Sequence, residues 1–311
     1  MRFATPFRSI VRATVLLQAL ALLATAAAYA APGDLYVTSD ASNKVRRYDG
    51  ATGGFLSTFC LSAGATGQMA IHFGATNGRV LIGHNAFGVE ERDVATGALI
   101  KTYNAGGGWQ WAGLYAPTGE VFIGDMLTND VRAYDANTGA FIRVVCSVSM
   151  PADMRMGPDG NLWVCSWGNM TVEVFHPVTG APQFVIPLPS GSLPNDLAFH
   201  PITNDILVTA MNTNMGFRFD WTSHLISGQF VGTGWARPHG IEFSPSANRF
   251  YAVDGVTGQV HEFHGTTLQE TNPAFLVPAP GDKIVDLAFQ PAGGPVEAHT
   301  STWGRVKTLF R

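Results

Sequence analysis

Three aspartates recur at one position of a short apolar run. They stand in Ala152-Asp-Met-Arg-Met156, Asn195-Asp-Leu-Ala-Phe199 and Val285-Asp-Leu-Ala-Phe289. Three further runs, at 69–73, 112–115 and 239–243, put Ala70, Gly113 and Gly240 at that place. Carboxylates gathered on one level repel each other and raise each other's pKa unless a cation sits among them. With Asn195 and His239 one residue earlier, the set Asp153, Asn195, Asp196, His239 and Asp286 is a candidate site for a divalent cation, Ca²⁺ or Mg²⁺, or for a cationic ligand. The same residues have a second reading. An Asp at the start of an inner strand also accepts backbone N–H groups and locks neighbouring segments without any ligand.

What must position these residues is a repeat. The stretch at 119–145 reads as three strands, 120–124, 131–134 and 141–145, rich in β-formers and separated by turn residues. An aromatic–polar pair closing the third strand of each unit recurs as Tyr48-Asp49, Tyr134-Asp135, Phe175-His176, Phe219-Asp220 and Phe263-His264, with a weaker Arg92-Asp93. The steps are 44, 42, 41, 44 and 44 residues, the length of one four-stranded propeller blade. Six copies predict an all-β, six-bladed propeller. Its first blade lacks an inner strand at the N-terminal end and borrows residues 285–289 from the other end, which closes the ring.

Turn chemistry divides the two rims. Ala116-Pro-Thr-Gly119 and Gly157-Pro-Asp-Gly160 follow inner strands, and Ala95-Thr-Gly97 and Asn137-Thr-Gly139 follow third strands; both are hairpin turns of one rim. The opposite rim carries more variable connections, where sites are usually built. His84 and Asp125 end second strands there, and Trp109, Trp111, Trp167 and Trp235 fall in or near its loops. These six residues are the candidate ligand-binding rim, suited to a sugar, peptide or protein.

Composition excludes several classes. A net charge of −4 with no Lys/Arg run gives no footprint for nucleic acid. No Gly-x-Ser-x-Gly elbow appears, and Gly106-Gly107-Gly108 lacks the Lys-Ser/Thr of a phosphate loop. Arg2, Arg8 and Arg12, the apolar run 14–24 and Ala28-Tyr-Ala30 form a signal-peptide pattern over 1–30. The expectation is an exported protein, periplasmic or secreted, with a propeller over 31–290 and no membrane span after cleavage. A Pro/Gly linker with a short basic-aromatic tail is expected over 291–311, and a monomer overall. Cys60, Cys146 and Cys165 permit one disulfide at most and read as buried apolar residues.

Gly160-Asn-Leu-Trp-Val with Val172-Glu-Val-Phe175, echoed by Asp34-Leu-Tyr-Val with Lys44-Val-Arg-Arg-Tyr-Asp49, resembles NHL and YVTN-type propeller repeats over most of 33–290. That likeness speaks for fold, since such propellers host binding modules and enzymes alike. Leu193-Pro-Asn-Asp-Leu-Ala-Phe199 and Arg237-Pro-His-Gly-Ile-Glu-Phe243 also resemble the inner strands of gluconolactonase (regucalcin-like) propellers. The resemblance implies an axial divalent metal held by an Asn, an Asp and a Glu. Asn195 matches the Asn, His239 stands at the place of the Asp, and Val285 at that of the Glu. A looser likeness to streptogramin lyases implies metal-dependent chemistry of the same kind. The chain is read first as a ligand- or protein-binding scaffold working through its upper rim, with a metal-dependent hydrolase or lyase as the alternative.

Overall fold

The computed structural model describes residues 33–62, 67–75, 78–85, 87–103, 109–245 and 249–291. The leader expected over 1–30, the tail beyond 291 and the triple glycine at 106–108 lie outside the described residues. Six four-stranded antiparallel sheets form the chain, each in sequential strand order except the first. That sheet runs from Ile284–Phe289 to Leu35–Ser39, Lys44–Tyr48 and Phe55–Leu61. The last strand of the chain is therefore the inner strand of the first blade, as the sequence predicts. Its ladder pairs Leu35 with Phe289, Tyr36 with Ala288 and Val37 with Leu287. Two backbone bonds, Gly33 N–H to Gln290 O and Gln290 N–H to Asp34 O, extend it. No α-helix occurs among the described residues, and none is long and apolar enough to cross a membrane.

Blade faces pack on one another. One core cluster joins Phe122, Val131 and Val145 of the third blade to Met154, Leu162 and Val164 of the fourth. Another joins Trp163, Cys165 and Val172 of the fourth to Leu197, Val208 and Phe217 of the fifth. A third joins Tyr251, Val253 and Phe275 of the sixth to Leu35, Val37 and Leu287 of the first. Second strands are buried on both faces, which is why Leu162–Ser166 and Ile206–Ala210 are buried along their whole length. All three cysteines are unpaired and buried. Burial pushes the Cys60 and Cys146 thiols up to about 12 and raises that of Cys165 well above its ordinary value, so they behave as small apolar side chains.

The recurrent aromatic–polar pair has a local cause. The carboxylate of Asp49 accepts the backbone N–H groups of Ala51 and Thr52 and the Thr52 hydroxyl. Asp93, Asp135 and Asp220 repeat the arrangement, and in the fourth and sixth blades Nδ1 of His176 and His264 takes the carboxylate's place. Each is a side-chain-capped turn. His200 uses Nδ1 in the same way, but it is buried rather than solvated, because its ring packs edge-on against Phe243 of the next blade.

Candidate functional site

The inner strands do not run as regular ladders to their upper ends. Pairing skips from Gln68 to Ile71 in the second blade, from Pro151 to Met154 in the fourth and from Pro194 to Leu197 in the fifth. In the first blade Thr38 pairs with Asp286 but Ser39 with Ile284. The residues skipped are Met69 and Ala70, Ala152 and Asp153, Asn195 and Asp196, and Val285. In the sixth blade the strand begins only at Ile241, so His239 and Gly240 precede it rather than open it. A bulge re-aims side chains and leaves backbone groups outside the ladder. Here it gathers one set of residues around a small cavity of about 20 Å³, room for an ion or a water, at the upper end of the inner strands.

The cavity is lined by Met69, Ala70, Trp111, Ala152, Asp153, Asn195, Asp196, His239, Val285 and Asp286. The structure thus brings the five candidate cation ligands together, with one rim tryptophan. Their bonding distinguishes them. Asp196 is fully used: Oδ1 accepts the N–H of Leu197 at 2.6 Å, Oδ2 that of Ile241 in the next blade at 2.7 Å, and both lie 3.4 Å from Arg155 Nη2. Asp286 is half used, with Oδ2 accepting the Ile71 N–H at 2.8 Å and Oδ1 buried without a partner. Asp153 is also half used. Its Oδ1 accepts the Met154 N–H and pairs with His72 Nε2 at 2.9 Å, while Oδ2 has no hydrogen bond. The amide Oδ1 of Asn195 is likewise buried without a partner.

Below these oxygens lies a second polar layer, two residues further along the same strands. Arg155 donates from Nη1 to Glu242 Oε2 at 2.8 Å and reaches Asp196 with Nη2. Burial opposes its charge, but Glu242, Asp196, Asp153 and Asp286 together hold its pKa well above the ordinary value. His72 is driven down to about 3 by burial and by Arg155, so its Nε2 carries a proton only as the neutral tautomer that donates to Asp153. Burial raises the pKa of Asp153 and, more strongly, of Asp196 and Asp286, and mutual repulsion adds to the rise in the latter two. Burial, Lys283 and Arg237 bring His239 down to about 4, so it is neutral near pH 7. His72, Arg155 and Glu242 were not singled out in the sequence; the period-two alternation from Ala70, Asp153 and Gly240 is the signal that reaches them.

Three expected rim residues are interior. His84 is buried, with Nε2 3.1 Å from the Ser62 hydroxyl and 3.7 Å from Glu90. Asp125 is buried and accepts the N–H groups of Leu127 and Thr128 and the side-chain amide of Gln110. Trp235 is buried against Phe230 and Phe263 and donates to Asn214 O. Neighbouring blade edges and turn backbone consume these groups, so they do not form an exposed binding rim. Trp111 lines the cavity, and Trp109 and Trp167 pack around it. Trp109 stacks on Trp111 with centroids 6.3 Å apart, and Trp167 meets Trp111 edge-on at 4.7 Å.

The oxygen atoms test well for a hard cation. Unpartnered buried oxygens are costly alone and are what Ca²⁺ or Mg²⁺ coordinates. Among the described residues no three His, Cys, Asp or Glu side chains are placed to hold a metal by themselves. The oxygens whose chemistry fits such an ion are the Asn195 amide and Asp286 Oδ1, with Asp153 Oδ2 beside Arg155 Nε at 3.9 Å.

No family model matches the chain. It is 38% identical over 68 residues to diisopropyl-fluorophosphatase from Loligo vulgaris, a match that spans 22% of this chain and 21% of the relative's length. Solved structures share the fold at low identity. A crystal structure of a nidogen/laminin complex aligns with a TM-score of 0.71 at 14% identity, over 84% of this chain and 99% of the other. A protein of unknown function from Bacteroides caccae aligns with a TM-score of 0.62 at 15% identity, over 83% and 98%. The chain is a six-bladed β-propeller.

Proposed function

We propose that this propeller is an exported, cation-dependent hydrolase of small ester-like or phosphoester-like molecules, working in the axial cavity. The observation that carries the reading is the set of buried oxygens at one cavity: Asn195 Oδ1 and Asp286 Oδ1, which have no partner, and Asp153 Oδ2, which has no hydrogen bond and only Arg155 Nε 3.9 Å away. The partial likeness to a fluorophosphatase supports a hydrolytic role, and the leader pattern at 1–30 supports export to the periplasm or beyond.

Those three oxygens would hold the cation. Bound there, a divalent cation supplies Lewis-acid polarisation of a carbonyl or phosphoryl oxygen. The rest of the chain prepares the donors. Asp153 Oδ2, 3.9 Å from Arg155 Nε, would be shared between the ion and that guanidinium, while His72 fixes the carboxylate through Oδ1. The Ile71 N–H does the same for Asp286. Asp196, with both oxygens taken by amides, frames the site and keeps Arg155 below it. His239 is held neutral, so one ring nitrogen is available to accept a proton or to ligate.

A second reading, ligand or protein binding without turnover, is favoured by the exposed Trp109 beside the cavity. The test is elemental analysis of the purified protein before and after chelation, with hydrolysis of p-nitrophenyl acetate and p-nitrophenyl phosphate followed in both states. One equivalent of Ca²⁺ or Mg²⁺ and chelator-sensitive turnover is the expected result. Binding of the cation without turnover of either ester or of lactones moves the assignment to the binding reading; no cation bound at millimolar Ca²⁺ or Mg²⁺ overturns the cation site.

A further inference from the structure

The axial cavity is divided into two chemically different halves. The fourth, fifth, sixth and first blades supply Asp153, Asn195, Asp196, His239 and Asp286. The second and third supply only Met69, Ala70 and Trp111. The division follows from the repeat: at the level where three blades place Asp, the second and third place Ala70 and Gly113. The bulky residue on that side comes from the position just before the third blade's inner strand, which is Trp111.

Trp111 is not a loose side chain. Its Nε1 donates to Asn85 Oδ1 at 2.5 Å, Trp167 abuts it edge-on with an interplanar angle of 89°, and Trp109 lies along it at 20°. Trp111 and Trp167 also pack against the core shared by the fourth and fifth blades. Of the three only Trp111 lines the cavity, and Trp109, stacked on it and 44% exposed, carries the indole surface out to solvent. The Nε1 of Trp167 is buried with no hydrogen-bond partner. A fixed indole wall that is partly open to water is suited to a flat apolar group, which gains from stacking and loses little entropy in a pre-organised site.

Resting on the cation-site reading for its polar half, we propose that Trp109, Trp111 and Trp167 form the specificity subsite. It takes the aromatic or extended apolar group of a molecule whose oxygen-bearing head enters the opposite half. The ligand class is thus an amphipathic small molecule, an aryl or long-chain ester or phosphoester, and not a uniformly polar sugar acid. Stacking on the indoles selects the tail, and the oxygen half selects the head. The two halves are separable because different blades supply them.

Two probes separate this proposal from the reading it rests on. 1-Naphthalenemethanol is neutral and needs no cation; 1-naphthylacetate carries a carboxylate head that does. Each is titrated into the full chain with indole fluorescence and calorimetry as readouts, in Ca²⁺ and in chelator. The neutral probe is expected to quench saturably, with binding at least 5-fold weaker in Trp109→Ala and in Trp111→Phe. Trp109→Ala removes an exposed ring and is expected to keep the fold, with the melting curve as the check, so it keeps the test valid if the second variant is unstable. In Ca²⁺, 1-naphthylacetate is expected to bind at least 10-fold tighter than acetate, and chelator is expected to abolish the contribution of the head alone. Absence of saturable binding by the neutral probe, or equal binding in both variants, overturns the aromatic subsite. Chelator-insensitive binding of 1-naphthylacetate with the Trp dependence intact supports the subsite and instead sinks the cation reading.

Discussion

Asp286 Oδ2 accepts the backbone N–H of Ile71 at 2.8 Å, across the seam between the first and second blades, while its other oxygen is buried with no partner. One carboxylate thus serves two purposes. The bonded oxygen joins the strand that closes the ring to its neighbour. The unbonded one faces the shared cavity with Asp153 and Asn195. Asp196 makes the equivalent cross-blade bond to Ile241 but has no oxygen left over. Members of one recurrent sequence position therefore differ in what they can do, and substitutions should separate them.

Asp196→Ala is expected to act on folding. It leaves the N–H groups of Ile241 and Leu197 without their acceptor and removes one of the carboxylates facing Arg155. Breaking a buried charged network by removing one partner costs about 3–5 kcal/mol. Urea unfolding should show a loss of that order in chelator as well as in Ca²⁺. A loss confined to the cation-loaded protein would show that the residue is a ligand and not a frame.

Ring closure gives a second prediction. Leu287 is fully buried in the cluster that joins the sixth and first blades, on the strand that completes the first sheet. Leu287→Ala should cost about 2–5 kcal/mol from lost burial and the cavity left behind. Deleting the chain from Ile284 onward should abolish cooperative unfolding, because it opens two sheet edges. A truncated chain that still melts cooperatively near the full-length temperature would refute closure as a stability device.

The cysteines are expected to be silent. In the native protein a thiol reagent such as Ellman's should label none of Cys60, Cys146 and Cys165 within minutes, and all three after denaturation, since all are buried and unpaired. Fewer than three equivalents in denaturant without reductant would reveal a disulfide.

Much of the architecture could be read from the chain because its cause is local and repeated. The spacing of Tyr48-Asp49 and its five counterparts reflects one capped turn per blade, so it survives in the sequence as a ruler. The terminal strand exchange was legible from a missing inner strand at one end and a spare one at the other. The cavity was only half legible. Periodicity put three Asp on one level, but nothing local marks the bulges that turn them inward, since a bulge depends on the partner strand. His84 and Trp235 failed as rim residues because burial there is decided by side chains from distant positions, Ser62 for the one and Phe263 for the other. Asp125 carried a readable warning. Asp125-x-x-Thr128 repeats the Asp-x-x-Thr spacing of the capped turns at Asp49, Asp93 and Asp135, and it caps in the same manner.

The pH dependence of stability should separate the carboxylates from the histidines. His72 and His239 lie at about 3 and about 4 in the folded protein, below the usual imidazole value of 6.5. The unfolded chain then binds more protons, so their contribution is complete above pH 6.5 and is lost as pH falls below it. Asp153, Asp196 and Asp286 have folded pKa values raised above 3.8. For them the folded chain binds more protons, so stability is greatest below 3.8 and falls as pH rises through the raised values. Above pH 6.5 the histidine contribution is flat, so whatever change the carboxylates still make to the Tm of cation-free protein there should be downward with rising pH. Ca²⁺ should flatten or reverse that decline by compensating the ionised carboxylates. A cation-free Tm that rises between pH 7 and 9 would contradict the raised carboxylates.

Asp286→Asn isolates the unbonded oxygen. The amide oxygen can still accept the Ile71 N–H, so the seam between blades survives, while the charge is removed. In chelator at pH 8 the variant should match or exceed the parent in Tm, because burial and the repulsion of Asp196 and Asp153 no longer act against an ionised group. In millimolar Ca²⁺ the order should invert, since the parent gains the full linkage stabilisation and the variant little. At 100 times the dissociation constant that gain is about 2.7 kcal/mol. Crossed melting curves of this kind require a carboxylate that burdens the empty fold and serves the occupied one. If the variant is less stable by the same margin in both conditions, Asp286 is only a bridge between blades, and the cation site loses its charged anchor on the closing strand.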